Sequence, residues 1–169
     1  MKHFLSISFL LFLTTSIGQN PEGFEALCRD TLAGTIPTIR ISEFVSQRSE
    51  NPDTFVLDAR EKAEYKVSHI DGAINIGNEK FNLNALNGIP KNAPIVIYCS
   101  IGYRSEKIGE QLQDAGYINV HNLFGGIFSW YNNGLPVYDS KGNATNQIHG
   151  YDKEWSQWLT KDRGKIILK

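Results

Sequence analysis

The chain has 169 residues, 41% of them apolar and 11% aromatic, which suits one packed domain with terminal extensions and is too short for two ordinary ones. That apolar content argues against disorder over most of the length. Charge nearly cancels, with 17 basic against 18 acidic residues and no block of one sign, so nothing marks a nucleic-acid or anionic-membrane surface.

At the N-terminus, Lys2 and His3 precede an apolar run from Phe4 to Leu13, with small residues at Ser16 and Gly18. This is the layout of a secretory signal peptide cleaved after Gly18, and the run is half the roughly twenty residues a membrane span needs. Residues 1–18 are therefore expected to be removed, the mature protein to be periplasmic or extracellular, and no permanent membrane span to remain. Residues 19–34, with Pro21, Gly23 and Gly34, read as a loose leader.

The segment 35–41 reads as a short first strand, followed by a helix that Ser42 could cap and that carries Phe44 and Val45. Asn51-Pro52-Asp53 is a turn leading into a strand at 54–58. A helical turn at 61–67 and an extended piece at 73–76 come next, and 77–93 is expected to be loop with one helical turn at 81–86. Ile95-Val-Ile-Tyr98 is the clearest buried strand, β-branched and preceded by Pro94. A helix over 105–115 places Ile108, Leu112 and Ala115 on one face and ends at Gly116. A strand at 120–123 and a helix opening at Gly125-Gly126, with Ile127, Phe128 and Trp130, complete the pattern before Gly134-Leu-Pro136. Strands alternating with helices predict an α/β fold with a mainly parallel sheet. The tail 139–169 places Tyr151, Trp155, Trp158 and Leu159 at helical spacing. It is read as a short aromatic helix packed on the domain, followed by a solvated basic end.

Of the two cysteines, Cys99 stands where reacting groups collect in open α/β sheets, at the end of the best strand and before a loop and a helix. Backbone amides of Ser100, Ile101, Gly102 and Tyr103 can converge on its sulfur, with the following helix N-terminus adding positive potential. Such a cradle favours a thiolate or persulfide anion and activates the nucleophile without a neighbouring base. Gly102 lets the loop curl, Arg104 adds a cation able to meet an anionic sulfur donor, and Ser105 can offer a hydroxyl. Asp58 and Arg60 follow a strand and are read as a pair bracing the loop. Cys28 is read as a passive or disulfide-forming thiol, and His69 as a structural histidine. His121 and His149 lack metal-ligand spacing, and no P-loop or dinucleotide motif is present, so neither a metal nor a cofactor is expected.

Cys99-Ser-Ile-Gly-Tyr-Arg104 resembles the six-residue active-site loop of rhodanese-like domains. Val56-Leu-Asp58-Ala-Arg60, Glu64-Tyr65 and His69-Ile-Asp-Gly-Ala-Ile-Asn-Ile76 are similar to that family's leading signature. Leu112 to Tyr117, Val120, Leu123, Gly125-Gly126 and Trp130 are similar to its closing one. The resemblance runs from about 35 to 138 and implies a five-stranded parallel sheet flanked by helices on both faces. It also implies sulfur transfer through a Cys99 persulfide, from a donor such as thiosulfate or a persulfide to cyanide, a thiol or a sulfur-carrier protein. Ser100 to Ser105 would then bind substrate. Three other readings stand beside it: a non-catalytic binding module, a Cys28/Cys99 redox relay, and a phosphatase or arsenate reductase. The last needs a longer loop than the four residues between Cys99 and Arg104.

Overall fold

The computed structural model describes residues 20–168. In chain order these form α1 (Pro21–Thr31), β1 (Thr38–Ile39), α2 (Ile41–Glu50), β2 (Phe55–Asp58), α3 (Lys62–Val67), β3 (Ile74–Asn75), β4 (Ile95–Tyr98), α4 (Tyr103–Asp114), β5 (Val120–Leu123), α5 (Gly126–Asn132), β6 (Val137–Tyr138), β7 (Ala144–Thr145), β8 (Gln147–His149) and β9 (Lys165–Ile167), with 3₁₀ turns at Leu83–Leu86, Trp155–Trp158 and Lys161–Arg163. The signal peptide expected over 1–18 lies outside the described residues.

Strands β1 to β5 make one parallel sheet in the order β1-β5-β4-β2-β3. Alternation along the strands sends Val56, Val96 and Tyr98 to one face and Leu57, Ile95, Ile97 and Cys99 to the other. Helices α1, α2 and α5 cover the first face through Phe24, Phe44, Ile127, Phe128 and Trp130. Helix α4 covers the second through Ile108 and Leu112, joined by Leu86 from the 3₁₀ turn. Both faces being covered, β4 is apolar and buried at every position, which is why it was the clearest strand in the sequence. The strand order reverses between β2 and β4, and the crevice beyond their carboxyl ends is where such sheets bind ligands.

Two expectations are corrected. Residues 21–31 are not loose but helical: Asn20 caps α1 by accepting the Gly23 N–H at 2.8 Å, and Pro21 occupies the first turn. Phe24 and Cys28, four residues apart, point into the core, and Cys28 is wholly buried. Beyond α1, the amides of Ala33, Gly34 and Thr35 all donate to the buried carboxylate of Glu106 on α4, at 2.9, 2.7 and 3.2 Å. Nothing in the local sequence of 19–34 announces that anchor.

The tail is likewise not an aromatic helix. Strand β6 pairs antiparallel with β7, and β8 pairs parallel with β9, so the basic end is ordered rather than solvated coil. Among the aromatics, Trp155 and Trp158 share one 3₁₀ turn, while Tyr151 sits outside it at φ 65. Ile148 and Leu159 are buried in the same core as α5, and Trp158 lies 5.9 Å from Phe24.

Beneath the ends of β2 and β4, Asp58 and Arg60 form an ion pair from which solvent is excluded. The Arg60 guanidinium donates to Asp58 at 2.7 and 3.0 Å and to the Ser68 carbonyl at 2.6 Å, while the Tyr98 hydroxyl donates to Asp58 at 2.7 Å. Burial, then the Asp58 charge, push the Tyr98 phenol well above its ordinary value, so it stays a neutral donor. Burial works against the Arg60 cation, but Asp58 more than offsets it and holds Arg60 protonated. Breaking such a pair strands a buried charge. Asp58→Asn is therefore expected to lower unfolding free energy by about 3–5 kcal/mol, measured by urea denaturation.

Candidate active site

Cys99 continues β4 at its carboxyl end, almost wholly buried, and its carbonyl accepts the Ile127 N–H at 2.9 Å. The Ser100 carbonyl accepts from Phe128 at 3.1 Å, so the first turn of α5 grips the loop by its backbone. Gly126 permits that approach: a Cβ there would lie 2.4 Å from the Cys99 carbonyl oxygen. Gly126 is thus a packing requirement of the loop.

The loop curls through Gly102, at φ 119, whose N–H donates to the Cys99 sulfur at 3.2 Å. The Gly102 carbonyl is held from outside by the Ser105 hydroxyl at 3.0 Å and the Asn122 amide at 2.9 Å. The Ser105 hydroxyl shares its one proton between that carbonyl and the Asn122 side-chain oxygen, 2.7 Å away. This corrects the expectation for Ser105: its hydroxyl is committed behind the loop, where it positions Gly102 rather than facing substrate. Ile101 packs into the core, and Tyr103 is half-exposed at the rim.

Arg104 does not stand free to receive an anion. Its guanidinium makes a bidentate pair with Glu64 of α3, at 2.8 and 2.9 Å, and donates to the Ser100 hydroxyl at 3.0 Å. Its carbon also lies 5.0 Å from the ring centre of Tyr151. Burial works against its charge, but the Glu64 hydrogen bonds and the nearby Cys99 sulfur hold it above its ordinary value. Asp58 and Arg60 therefore brace the loop from beneath, through Tyr98 next to Cys99, and the direct partner of Arg104 is Glu64. Glu64 belongs to the leading signature but carried no assigned role, since pairing across 40 residues leaves no local trace. Asn122, Tyr151 and Trp155 were missed for the same reason.

A pocket of about 330 Å³ opens over the sulfur, lined by Thr31, Cys99, Ser100, Ile101, Tyr103, Arg104, Tyr151 and Trp155. A larger hollow of about 420 Å³, beside Phe24, Arg40, Phe124 and Trp158, has no cysteine or histidine in its wall. Chemistry, not size, selects the smaller one. Both cysteines are free. Burial, with the nearby Cys99 charge, pushes the Cys28 thiol up to about 12, so Cys28 is a neutral thiol at neutral pH. Among the described residues no cluster of His, Cys, Asp or Glu could hold a metal ion, and no helix is long and apolar enough to cross a membrane.

The sequence profile described as Rhodanese-like domain matches residues 42–133, more than half of the chain. The chain belongs to the rhodanese-like family. A sulfurtransferase of Allochromatium vinosum is 35% identical over 102 residues, 60% of this chain and 94% of that protein. A tRNA uridine(34) hydroxylase of Bdellovibrio bacteriovorus is 38% identical over 93 residues, 53% of this chain; the chain spans only 27% of that relative's length. Among solved structures, the rhodanese-like domain of an Anabaena protein superposes with a TM-score of 0.55 at 25% identity, covering 62% of this chain and 80% of that one. The fold is accordingly the rhodanese-like α/β sheet expected from the motifs.

Burial alone would raise the Glu64 carboxyl, but Arg104 outweighs it and holds the group below its ordinary value of 4.5. A group that binds protons more weakly when folded adds stability above its unfolded value and loses it as pH falls through the folded one. The urea midpoint of the native chain is therefore expected to drop more between pH about 6 and about 3 than that of Glu64→Gln.

Proposed function

We propose that this protein is a sulfurtransferase that carries sulfane sulfur on Cys99 as a persulfide. The observation that carries the reading is the Cys99 sulfur at the floor of a pocket, in a six-residue loop whose Gly102 amide points at it from 3.2 Å. The Cys99 thiolate attacks the outer sulfur of the donor. The new sulfur–sulfur bond forms as the donor's own bond breaks, and the electron pair leaves with the donor's remaining fragment. An acceptor nucleophile (a thiol, cyanide or a sulfur-carrier protein) then attacks the carried sulfur and releases the Cys99 thiolate. No net oxidation or reduction occurs, so no redox cofactor is required. The cradle suits the anion in both of its forms, since the Gly102 amide donates to the sulfur and the N-terminus of α4 adds positive potential.

The four residues between Cys99 and Arg104 favour a sulfur atom over the phosphate or arsenate of related chemistries. Cys28 sits in α1 with its side chain enclosed by the core, which favours a packing role over a redox relay. The kinship with a sulfurtransferase that the chain nearly spans supports the same reading.

Intact mass after incubation with thiosulfate or an organic persulfide tests the proposal. The native chain and Cys28→Ser should each gain one sulfur atom, removable by cyanide or a thiol, while Cys99→Ser gains none. Gain by Cys99→Ser, or none by a native chain with its Cys99 thiol free, would sink it.

We further propose that the protein acts outside the cytoplasm, on the strength of Lys2, the Phe4–Leu13 run and Gly18. Sequencing of the protein recovered from its host should find a mature chain beginning at Gln19.

A further inference from the structure

Two of the pocket's three aromatic side chains come from outside the family's matched segment. The profile ends at residue 133, yet Tyr151 and Trp155 line the pocket directly over Cys99. The extension that carries them is built into the domain. Ile148 and Leu159, on either side, are buried, and α3 packs against β8. Tyr151 itself holds a left-handed backbone at φ 65, a conformation that non-glycine residues seldom adopt. Its N–H donates to His149 Nδ1 at 3.0 Å, and its ring meets the Arg104 guanidinium. Such strain persists only where the surroundings over-determine it, and here the surroundings are the wall of the pocket.

The charge of that pocket is equally specific. Arg104 is the one charged residue among those lining it, and the buried Glu64 carboxylate neutralises it through two hydrogen bonds. Beneath them Asp58 and Arg60 cancel each other. The four buried or half-buried charges sum to zero, so the mouth offers no uncompensated cation to a dianion. The surface that remains is almost wholly apolar, formed by the Tyr103, Tyr151 and Trp155 rings and the Ile101 side chain.

We propose that Tyr151 and Trp155 set donor specificity at the Cys99 site, selecting a persulfide with an apolar organic body over thiosulfate or a charged persulfide. This rests on the sulfur-carrier reading above. The donor R–S–SH lays its body against the two rings and presents its outer sulfur to Cys99. The Cys99 thiolate bonds to that sulfur, the S–S bond of the donor breaks, and R–S⁻ departs with the electron pair. The –SH proton stays on the transferred sulfur. An apolar R gains by leaving water for this wall, whereas a carboxylated R or a sulfonate-like head must shed hydration with no free cation to replace it.

Single-turnover loading of the full chain with benzyl persulfide, glutathione persulfide and thiosulfate, read by intact mass against time, tests this. The first two share a reacting group and differ in the charge of the body. The native chain should take sulfur from benzyl persulfide at least about tenfold more efficiently than from glutathione persulfide, with thiosulfate slower again. Trp155→Ala, and Tyr151→Gly, which suits the left-handed backbone, should each cut that ratio about fivefold or more, mainly by raising the concentration needed for half-maximal loading. Equal use of the two persulfides by the native chain, or an unchanged ratio in both variants, would overturn the proposal while leaving sulfur transfer intact. Loading from none of the three donors would instead bring down the sulfur-carrier reading itself. The native comparison stands even if a variant fails to fold.

Discussion

The ion pair between Glu64 and Arg104 is the contact on which the site depends. It joins α3, on one side of the crevice, to the first turn of α4, on the other, across the carboxyl ends of β2 and β4. Glu64 is wholly buried and Arg104 mostly so, which makes the pair costly to form without good geometry; the bidentate contact and the added Ser100 bond supply it. Its orientation decides what Arg104 is for. A guanidinium held this way fixes the rim of the cradle, while the backbone amide of Gly102 is the donor that reaches the Cys99 sulfur.

The cradle itself is shaped from behind. Ser105 and Asn122 fasten the Gly102 carbonyl, the first turn of α5 takes the Cys99 and Ser100 carbonyls, and Gly126 removes the side chain that would keep α5 away. Each element contributes a donor or acceptor at a fixed place, so the loop around the Cys99 sulfur is set from several sides at once. Below, the Asp58–Arg60 pair and the Tyr98 hydroxyl anchor the end of β4, one residue before Cys99.

Two further pieces pack around the segment that the family's profile matches. Helix α1 lies against the α5 face and reaches the pocket with Thr31, held by the three amides that converge on Glu106. The C-terminal extension closes the other side with Tyr151 and Trp155. Both lie outside the residues 42–133 that the family's profile matches.

What the sequence determined by itself is what depends on neighbours along the chain. The β-branched apolar run of β4, the amphipathic face of α4, and the loop from Cys99 to Arg104 with its glycine are local patterns. They made the parallel sheet and the place of Cys99 at its carboxyl edge readable before any contact was known. The same locality explains the errors: the periodicity of α1 is short and punctuated by Pro21 and Gly23, and the aromatics of the tail fall at helical spacing by coincidence, with Tyr151 in a backbone no helix contains. Only the tertiary structure decided that Glu64 neutralises Arg104, that Ser105 faces Asn122, that Cys28 is sealed in the core, and that residues 151 and 155 roof the site. Those pairings join positions tens of residues apart, and their strength comes from burial and mutual distance, neither of which one-dimensional spacing encodes.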